Sequence, residues 1–134
     1  MAIQYSVTHR TNAMTTLNND IGASCVIKIF DGTLPATCAT PDAGTTLVTF
    51  AGNAAGFGTV ASGVLTANSV SNANAAATGT ASYFRIYPTA ATTTNAVVQG
   101  TCGTANADMI LTSLTINSGQ VIQFTSMTIT AFGA

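Results

Sequence analysis

The sequence predicts a mainly β fold: an antiparallel β-sandwich of about seven to eight strands with one short N-terminal helix. Segments rich in β-branched and aromatic residues recur at spacings typical of sandwiches and barrels. Turn sequences such as Asp31-Gly32 and Asn117-Ser-Gly-Gln120 separate them. A single stretch, residues 11–21, carries large apolar residues at helical spacing. The 134 residues are expected to form one domain, residues 1–134.

The N-terminal residues have the period-two pattern of a strand. Ile3, Tyr5 and Val7 alternate with polar residues over positions 3–8, which predicts a half-buried strand. No hairpin partner lies nearby in the sequence. Residues 1–10 are therefore predicted to be either an edge strand of the sandwich or an N-terminal arm that adds to a sheet of a neighbouring chain.

The helix is predicted to begin near Thr11 or Asn12, either of which can cap its first turn. Gly22 suits the position just past its last turn. Apolar residues at i, i+3 and i+7 define its buried face: Met14, Leu17 and Ile21.

Strands are predicted along the rest of the chain, except in residues 51–79, where large side chains are few. They are Cys25–Phe30, Thr45–Phe50, Ala81–Tyr87, Asn95–Gly100, Met109–Ile116 and Val121–Phe132. In the last of these, the apolar set changes phase, which predicts a bulge at Thr125 or Ser126. Residues 51–79 are rich in Gly, Ala, Asn and Ser, which predicts a surface excursion or an arm rather than core.

Charged residues make up only 5% of the chain, against about 25% in an average soluble domain. The charged residues are Arg10, Lys28 and Arg85 with Asp20, Asp31, Asp42 and Asp108. Because three Lys and Arg residues cannot neutralise a run of phosphates, no nucleic-acid partner is expected. Binding to a membrane surface is not expected for the same reason. A surface of hydroxyls, amides and small apolar groups suits packing against other proteins. Because no basic leader precedes an apolar block, synthesis in the cytoplasm is expected.

No catalytic or metal site is predicted, and no cofactor. His9 is the only imidazole, and no nucleophile or carboxylate stands at a spacing that links it to a catalytic set. Cys25, Cys38 and Cys102 lack the spacing of metal ligands. They are expected to be buried thiols, with a Cys38–Cys102 disulfide as the alternative. The sequence therefore does not predict an enzyme.

Aromatic residues allow a second interpretation, binding of glycans or a receptor. A stacking platform could be formed by Tyr5, Phe57, Tyr83, Tyr87 and Phe132. The chain has no Trp, however, and aromatic residues of this kind more often belong to the core or to subunit contacts. A receptor- or glycan-binding module is kept as the alternative function.

Several short motifs, in order along most of the chain, resemble a family of small proteins that tailed bacteriophages encode beside their capsid genes. The motifs are Met1-Ala-Ile-Gln-Tyr-Ser-Val7, Ile21-Gly22, Asp31-Gly32, Pro35-Ala36, Cys38, Ala77-Thr-Gly-Thr-Ala81, Phe84-Arg-Ile-Tyr87, Gln99-Gly100, Asp108-Met109 and Gly119-Gln120. Residues 53–72 depart from the family pattern, because they lack the tryptophan expected before the Ala-Thr-Gly element.

The resemblance implies a capsid decoration (cement) protein on the outer surface of the virion. Such proteins clamp neighbouring major capsid subunits, commonly as homotrimers, so the expected partners are the major capsid protein and further copies of this chain. No catalytic residues are carried over from the family. In the same setting, the alternative function is a receptor- or glycan-binding module of a phage fibre or tail tip. Contacts with neighbours are expected from Ile3, Tyr5, Val7, Arg10, Tyr83, Arg85 and Tyr87.

Overall fold

The computed structural model describes residues 3–89, 94–123 and 127–133, which form one N-terminal helix followed by strands that curl into a half-barrel. The helix is α1 (Val7–Ile21). The strands are β1 (Val26–Phe30), β2 (Thr46–Ala51), β3 (Gly58–Ala61), β4 (Val64–Ala67), β5 (Ala73–Asn74), β6 (Gly79–Thr80), β7 (Tyr83–Tyr87), β8 (Val98–Gly103), β9 (Met109–Ile110), β10 (Thr115–Ile116), β11 (Val121–Ile122) and β12 (Thr128–Thr130). A mainly β fold with one helix is confirmed. The strands of the described residues form several separate sheets, however, and not a clear two-sheet sandwich.

The largest sheet has five strands in the order β2-β1-β7-β8-β9. Its pairs are antiparallel except the last, in which Cys102 of β8 lies beside Met109 of β9 in a parallel arrangement. β7 is central and buried on both faces, since Phe84 and Ile86 pack in the main core while its alternate residues face a smaller aromatic cluster. The predicted alternation of this strand is confirmed.

A three-stranded sheet, β12-β4-β3, carries the helix. Asn18 of α1 binds β3 twice, because its Nδ2 donates to the Gly58 carbonyl and its Oδ1 accepts from the Gly58 N–H, each at 3.1 Å. Leu65 of this sheet joins the residues of the five-stranded sheet in one core. In the part of the chain that is described, no helix has the length and apolar character needed to cross a membrane.

The prediction of a strand at residues 3–8 is wrong. The helix begins at Val7, and Ser6 caps it by accepting a hydrogen bond from the His9 N–H at 3.2 Å. A serine at this position satisfies a backbone donor that would otherwise lack a partner, which moves the start of the helix ahead of Thr11. The predicted end is confirmed, since Gly22 has φ +74° and its N–H donates to the Asn18 carbonyl at 2.9 Å.

Residues 51–79 contribute to the core, contrary to the prediction of a surface excursion. They contain β3 to β6, and Phe57 and Leu65 are buried. Ser62 and Gly63, at φ +50° and +78°, form the two-residue loop between β3 and β4. Positive φ at both loop residues is what the common hairpin turns require. The sequence pattern that would predict these short strands is weak, because they contain few large side chains.

Two predicted strands in the C-terminal part are each divided. Residues 109–116 form β9 and β10, and residues 121–132 contribute β11 and β12, which pair in different sheets. The chain changes partners between them, so no single ladder continues along either segment. The turn before β11 is confirmed by the Gln120 N–H, which donates to the Asn117 carbonyl at 2.9 Å. The predicted bulge at Thr125 or Ser126 lies outside the described residues.

Candidate interaction surfaces

The two ends of the described chain meet and form an exposed apolar surface. The Tyr5 N–H donates to the Gly133 carbonyl at 2.6 Å, and the Tyr5 ring lies edge-on to Phe132 with their centroids 6.3 Å apart. Gly133 has φ +86°, and a Cβ at this position would collide with the Tyr5 ring. Glycine is therefore needed here for both the backbone conformation and the close approach.

We call this region the terminal surface and define it by Ile3, Tyr5, Val7 and Phe132. Ile3 is 76% and Phe132 84% exposed, and both are large apolar side chains. A cavity of about 120 Å³ opens beside the two aromatic rings and is also lined by His9, Arg10 and Met14. Clustered apolar exposure of this kind marks interaction sites, whereas single exposed residues do not.

Three of the predicted contact residues near the N-terminus, Ile3, Tyr5 and Val7, are exposed in the structure. Ile3, Tyr5 and Val7 belong to the terminal surface, and Arg10 borders it through its Nε, which donates to the Tyr5 carbonyl at 3.3 Å. The period-two pattern that identified them reflects exposure at the start of a helix rather than a strand. Phe132, which the prediction included only as a glycan-stacking residue, completes the surface.

The other predicted contact residues, Tyr83, Arg85 and Tyr87, are wrong as surface positions because each has no exposed area. Residues 31–45 fold over that face of the sheet and cover it. Arg85 Nη1 lies 2.7 Å from Asp42 Oδ1, and its Nη2 donates to the Thr37 carbonyl at 3.0 Å.

Further hydrogen bonds hold the covering loop, and we call the residues that make them the polar network. Its buried members are Tyr83, Arg85 and Tyr87, and its half-buried members are Asp42 and Gln99. Tyr83 exchanges hydrogen bonds with the backbone of Ala43, Tyr87 donates to Asp42, and Gln99 Nε2 donates to the Pro35 carbonyl at 2.8 Å. Phe30 stacks on Tyr83 with the ring centroids 4.8 Å apart. Among the described residues, every buried side-chain nitrogen and oxygen atom has a hydrogen-bond partner.

Burial raises the pKa of both tyrosines in this network, and for Tyr87 the hydrogen bond to Asp42 raises the pKa further. Both hydroxyls therefore stay protonated at neutral pH and act as donors. Phe57 is also buried. Of the five aromatic residues considered for glycan stacking, only Tyr5 and Phe132 reach the surface, so the proposed platform does not form as predicted.

A second surface lies where two sheet edges approach. A groove of about 910 Å³ is bordered by β9, an edge of the five-stranded sheet, and by β12, an edge of the three-stranded sheet. We call it the edge groove. Its apolar lining consists of Phe84, Val98, Ile110, Leu111, Met127 and Ile129. Sequence reasoning missed it, because its walls are distant in the sequence. The exposed Ile110 is the one local signal.

Among the described residues, Asp108 is the one ionisable residue that lines the edge groove, and it also fixes the adjoining loop. Its Oδ2 accepts hydrogen bonds from the Thr101 N–H at 2.9 Å and the Thr101 hydroxyl at 3.2 Å. Gly100 permits this arrangement, since a Cβ there would lie 2.8 Å from Asp108 Oδ2. Asp108 therefore stabilises a turn, whereas Asp42 is an ion-pair partner.

The described residues do not assemble a cluster of metal ligands. No group of three or more His, Cys or Asp side chains is placed to hold a metal ion within that part of the chain. His9 is exposed in the first turn of α1 and packs on Tyr5, with the ring centroids 4.9 Å apart.

All three cysteines are free thiols in the structure, so the alternative Cys38–Cys102 disulfide is not formed. Cys25 and Cys102 are buried, and Cys38 is half-buried. Burial, together with the nearby Asp108, raises the pKa of Cys102 to about 12. Because the thiolate is the reactive form, this thiol is poorly reactive.

Comparisons with protein-family models, with curated proteins and with solved structures each gave no significant match.

Proposed function

We propose that this protein is a structural component of a tailed-bacteriophage virion that decorates and cements the outer capsid surface, as a homotrimer bridging major capsid subunits. The observation that supports this proposal best is the terminal surface, which exposes clustered apolar side chains on a domain with almost no charge. The motif resemblance supplies the capsid setting. The protein would be made in the cytoplasm of the host bacterium and act on the assembled shell.

The physical basis is apolar burial rather than ion pairing. Burying apolar surface contributes roughly 25 cal/mol per Å² removed from water. Such contacts keep their strength when salt screens charges, whereas ion pairs weaken once the Debye length falls to about 10 Å at 0.1 M ionic strength. In a symmetric oligomer, several modest contacts act together and raise the overall affinity.

Co-sedimentation with shells tests the proposal. Purified protein is mixed with expanded capsids of its own phage that lack it, and bound protein is measured after centrifugation. We expect saturable binding that changes little between about 0.1 M and 1 M NaCl, where the Debye length falls to about 3 Å. Binding that disappears at high salt would contradict an apolar joint.

A matched pair of variants assigns the binding to the terminal surface. Phe132→Ser should lower shell occupancy, whereas Val121→Ser, at a residue that is 61% exposed but remote from both surfaces in the sheets, should not. A glycan array tests the alternative. Glycan binding by the isolated domain, without binding to shells, would favour the receptor-binding module instead.

A further inference from the structure

We propose that the terminal surface of one copy of this protein occupies the edge groove of a second copy, so that identical copies associate head to tail. This inference rests on the proposed function and deepens it, because it identifies the joint between copies. A contact between two different patches is heterologous, and it closes into a ring when the rotation between subunits divides a full turn. In a trimer of this kind, each subunit contacts the next through the same two surfaces.

The edge groove has the geometry of a site for an extended polypeptide. β9 and β12 each have a strand partner on one side only among the described residues. The outer backbone N–H and C=O groups of an edge strand can pair with an additional extended chain. Because two such edges border the groove, a polypeptide segment matches it better than a small ligand does.

The terminal surface presents a segment of suitable length. Residues 3–6 belong to neither a helix nor a strand, and Ser6 is extended at φ −62° and ψ 155°. A four-residue segment spans at most roughly 13 Å when it is fully extended, at about 3.3 Å per residue. The neighbouring edges are equally short, with two residues in β9 and three in β12. The hydrogen bond from Tyr5 to Gly133 already positions the segment, which lowers the ordering cost of docking.

The two surfaces are also complementary in chemistry. The exposed apolar side chains of Ile3 and Phe132 match the apolar lining of the edge groove, where Ile110 is 50% exposed. Arg10 borders the terminal surface, and Asp108 lines the groove. Opposite charges at the two sides of a contact fix its orientation and disfavour pairing of two like surfaces.

Cysteine cross-linking tests this pairing directly. Two single variants, Phe132→Cys and Ile110→Cys, are prepared with Cys38→Ser to remove the half-buried native thiol. We expect an intermolecular disulfide when the two variants are mixed under mild oxidation, and much less when either is oxidised alone. Val121→Cys, mixed with each of them, is the control for random collision, since Val121 is exposed outside both surfaces.

A mixed disulfide no more abundant than the Val121→Cys control would overturn the proposal. A Phe132→Cys homodimer formed preferentially would also overturn it, because that product requires a two-fold contact. The double variant with both cysteines should give covalent oligomers that end at a closed ring.

Charge substitutions supply an independent measurement by sedimentation of the full chain. Ile110→Asp and Phe132→Asp should each weaken self-association by about tenfold or more, since each places a charge in an apolar contact. Val121→Asp should leave self-association unchanged. Wild-type protein that stays monomeric at high concentration would contradict the inference.

The two proposals fail separately. If the wild-type protein binds shells while the mixed cysteine pair gives no disulfide, the head-to-tail joint is wrong and the decoration function stands. If the mixed disulfide forms and the oligomer does not bind shells, the joint is correct and the decoration function is wrong.

Discussion

One face of the five-stranded sheet, which carries Tyr83, Arg85 and Tyr87, is covered in the structure, whereas the terminal surface is exposed. Residues of both regions were predicted to contact neighbours. Tyr83, Arg85 and Tyr87 are covered by residues 31–45 of their own chain, whereas Ile3 and Phe132 remain open. The covered face holds an ion pair and satisfied hydrogen bonds, and the open face holds apolar groups. The difference shows that residue type alone does not identify an interface, because a loop of the same chain can bury the residues first.

Replacement of Arg85 should have the largest effect on stability. Arg85→Met leaves Asp42 without its ion-pair partner, and removing one partner of a buried pair costs about 3–5 kcal/mol. Chemical denaturation measures the loss. Arg10→Met is the matched control and should change the free energy of unfolding by about 0.5 kcal/mol. If both variants lost the same free energy of unfolding, the Arg85–Asp42 pair would not stabilise the protein more than an arginine at the surface does.

Alkaline pH should destabilise the covered face, which contains Tyr87, and also the main core, which contains Cys102. The pKa of Tyr87 is raised from its ordinary value of 10.0, and that of Cys102 from 9.0, so the unfolded chain releases these protons at lower pH than the folded protein. Stability is therefore complete below about pH 9 and falls as the pH rises above 9 and then 10. Urea midpoints between pH 7 and 11 measure it. Tyr87→Phe should flatten the decline above pH 10, and an unchanged decline would contradict this assignment.

A methyl group at Gly133 should distort the terminal surface and lower the free energy of unfolding by less than the Arg85 substitution does. Gly133→Ala meets the Tyr5 ring and forces a side chain into positive φ, which costs about 1–2 kcal/mol. Tyrosine fluorescence and thermal unfolding report the change. Gly119→Ala is the control, since Gly119 has φ +83° but nothing within 4 Å of the added carbon. An equal loss in the two variants would show that backbone strain, and not ring contact, dominates.

Removal of the Phe132 ring should have the smallest effect on folding. The side chain is largely exposed, so Phe132→Ser should change the free energy of unfolding by at most about 0.5 kcal/mol. Denaturant titration of the protein at low concentration measures this value. A loss of several kcal/mol would show that Phe132 belongs to the core, and the two faces would no longer differ.

The central strands were predictable because they carry large side chains in strict alternation. Phe84 and Ile86 point into the main core as the pattern indicates. The division of residues 109–116 and 121–132 was not predictable, since the partner of each short strand lies far away in the sequence.

The candidate surfaces were predictable only in part. The apolar residues near the N-terminus were found by their alternation, although for the wrong secondary structure. The edge groove could not be predicted from the sequence, because Ile110 and Ile129 line the same groove only once the two sheets have formed. The covered face was missed because nothing near Arg85 in the sequence indicates that Asp42, on a distant loop, will pair with it.

The ion pair between Asp42 and Arg85 also has a consequence for protein synthesis, because 43 positions separate its members. The loop that contains Asp42 is translated before its anchor, Arg85. At roughly 5–20 residues per second, that interval lasts about 2–9 s. The nascent loop therefore has no docking site until the central strand emerges, and we expect it to be sensitive to protease in ribosome-bound chains that stop before Arg85.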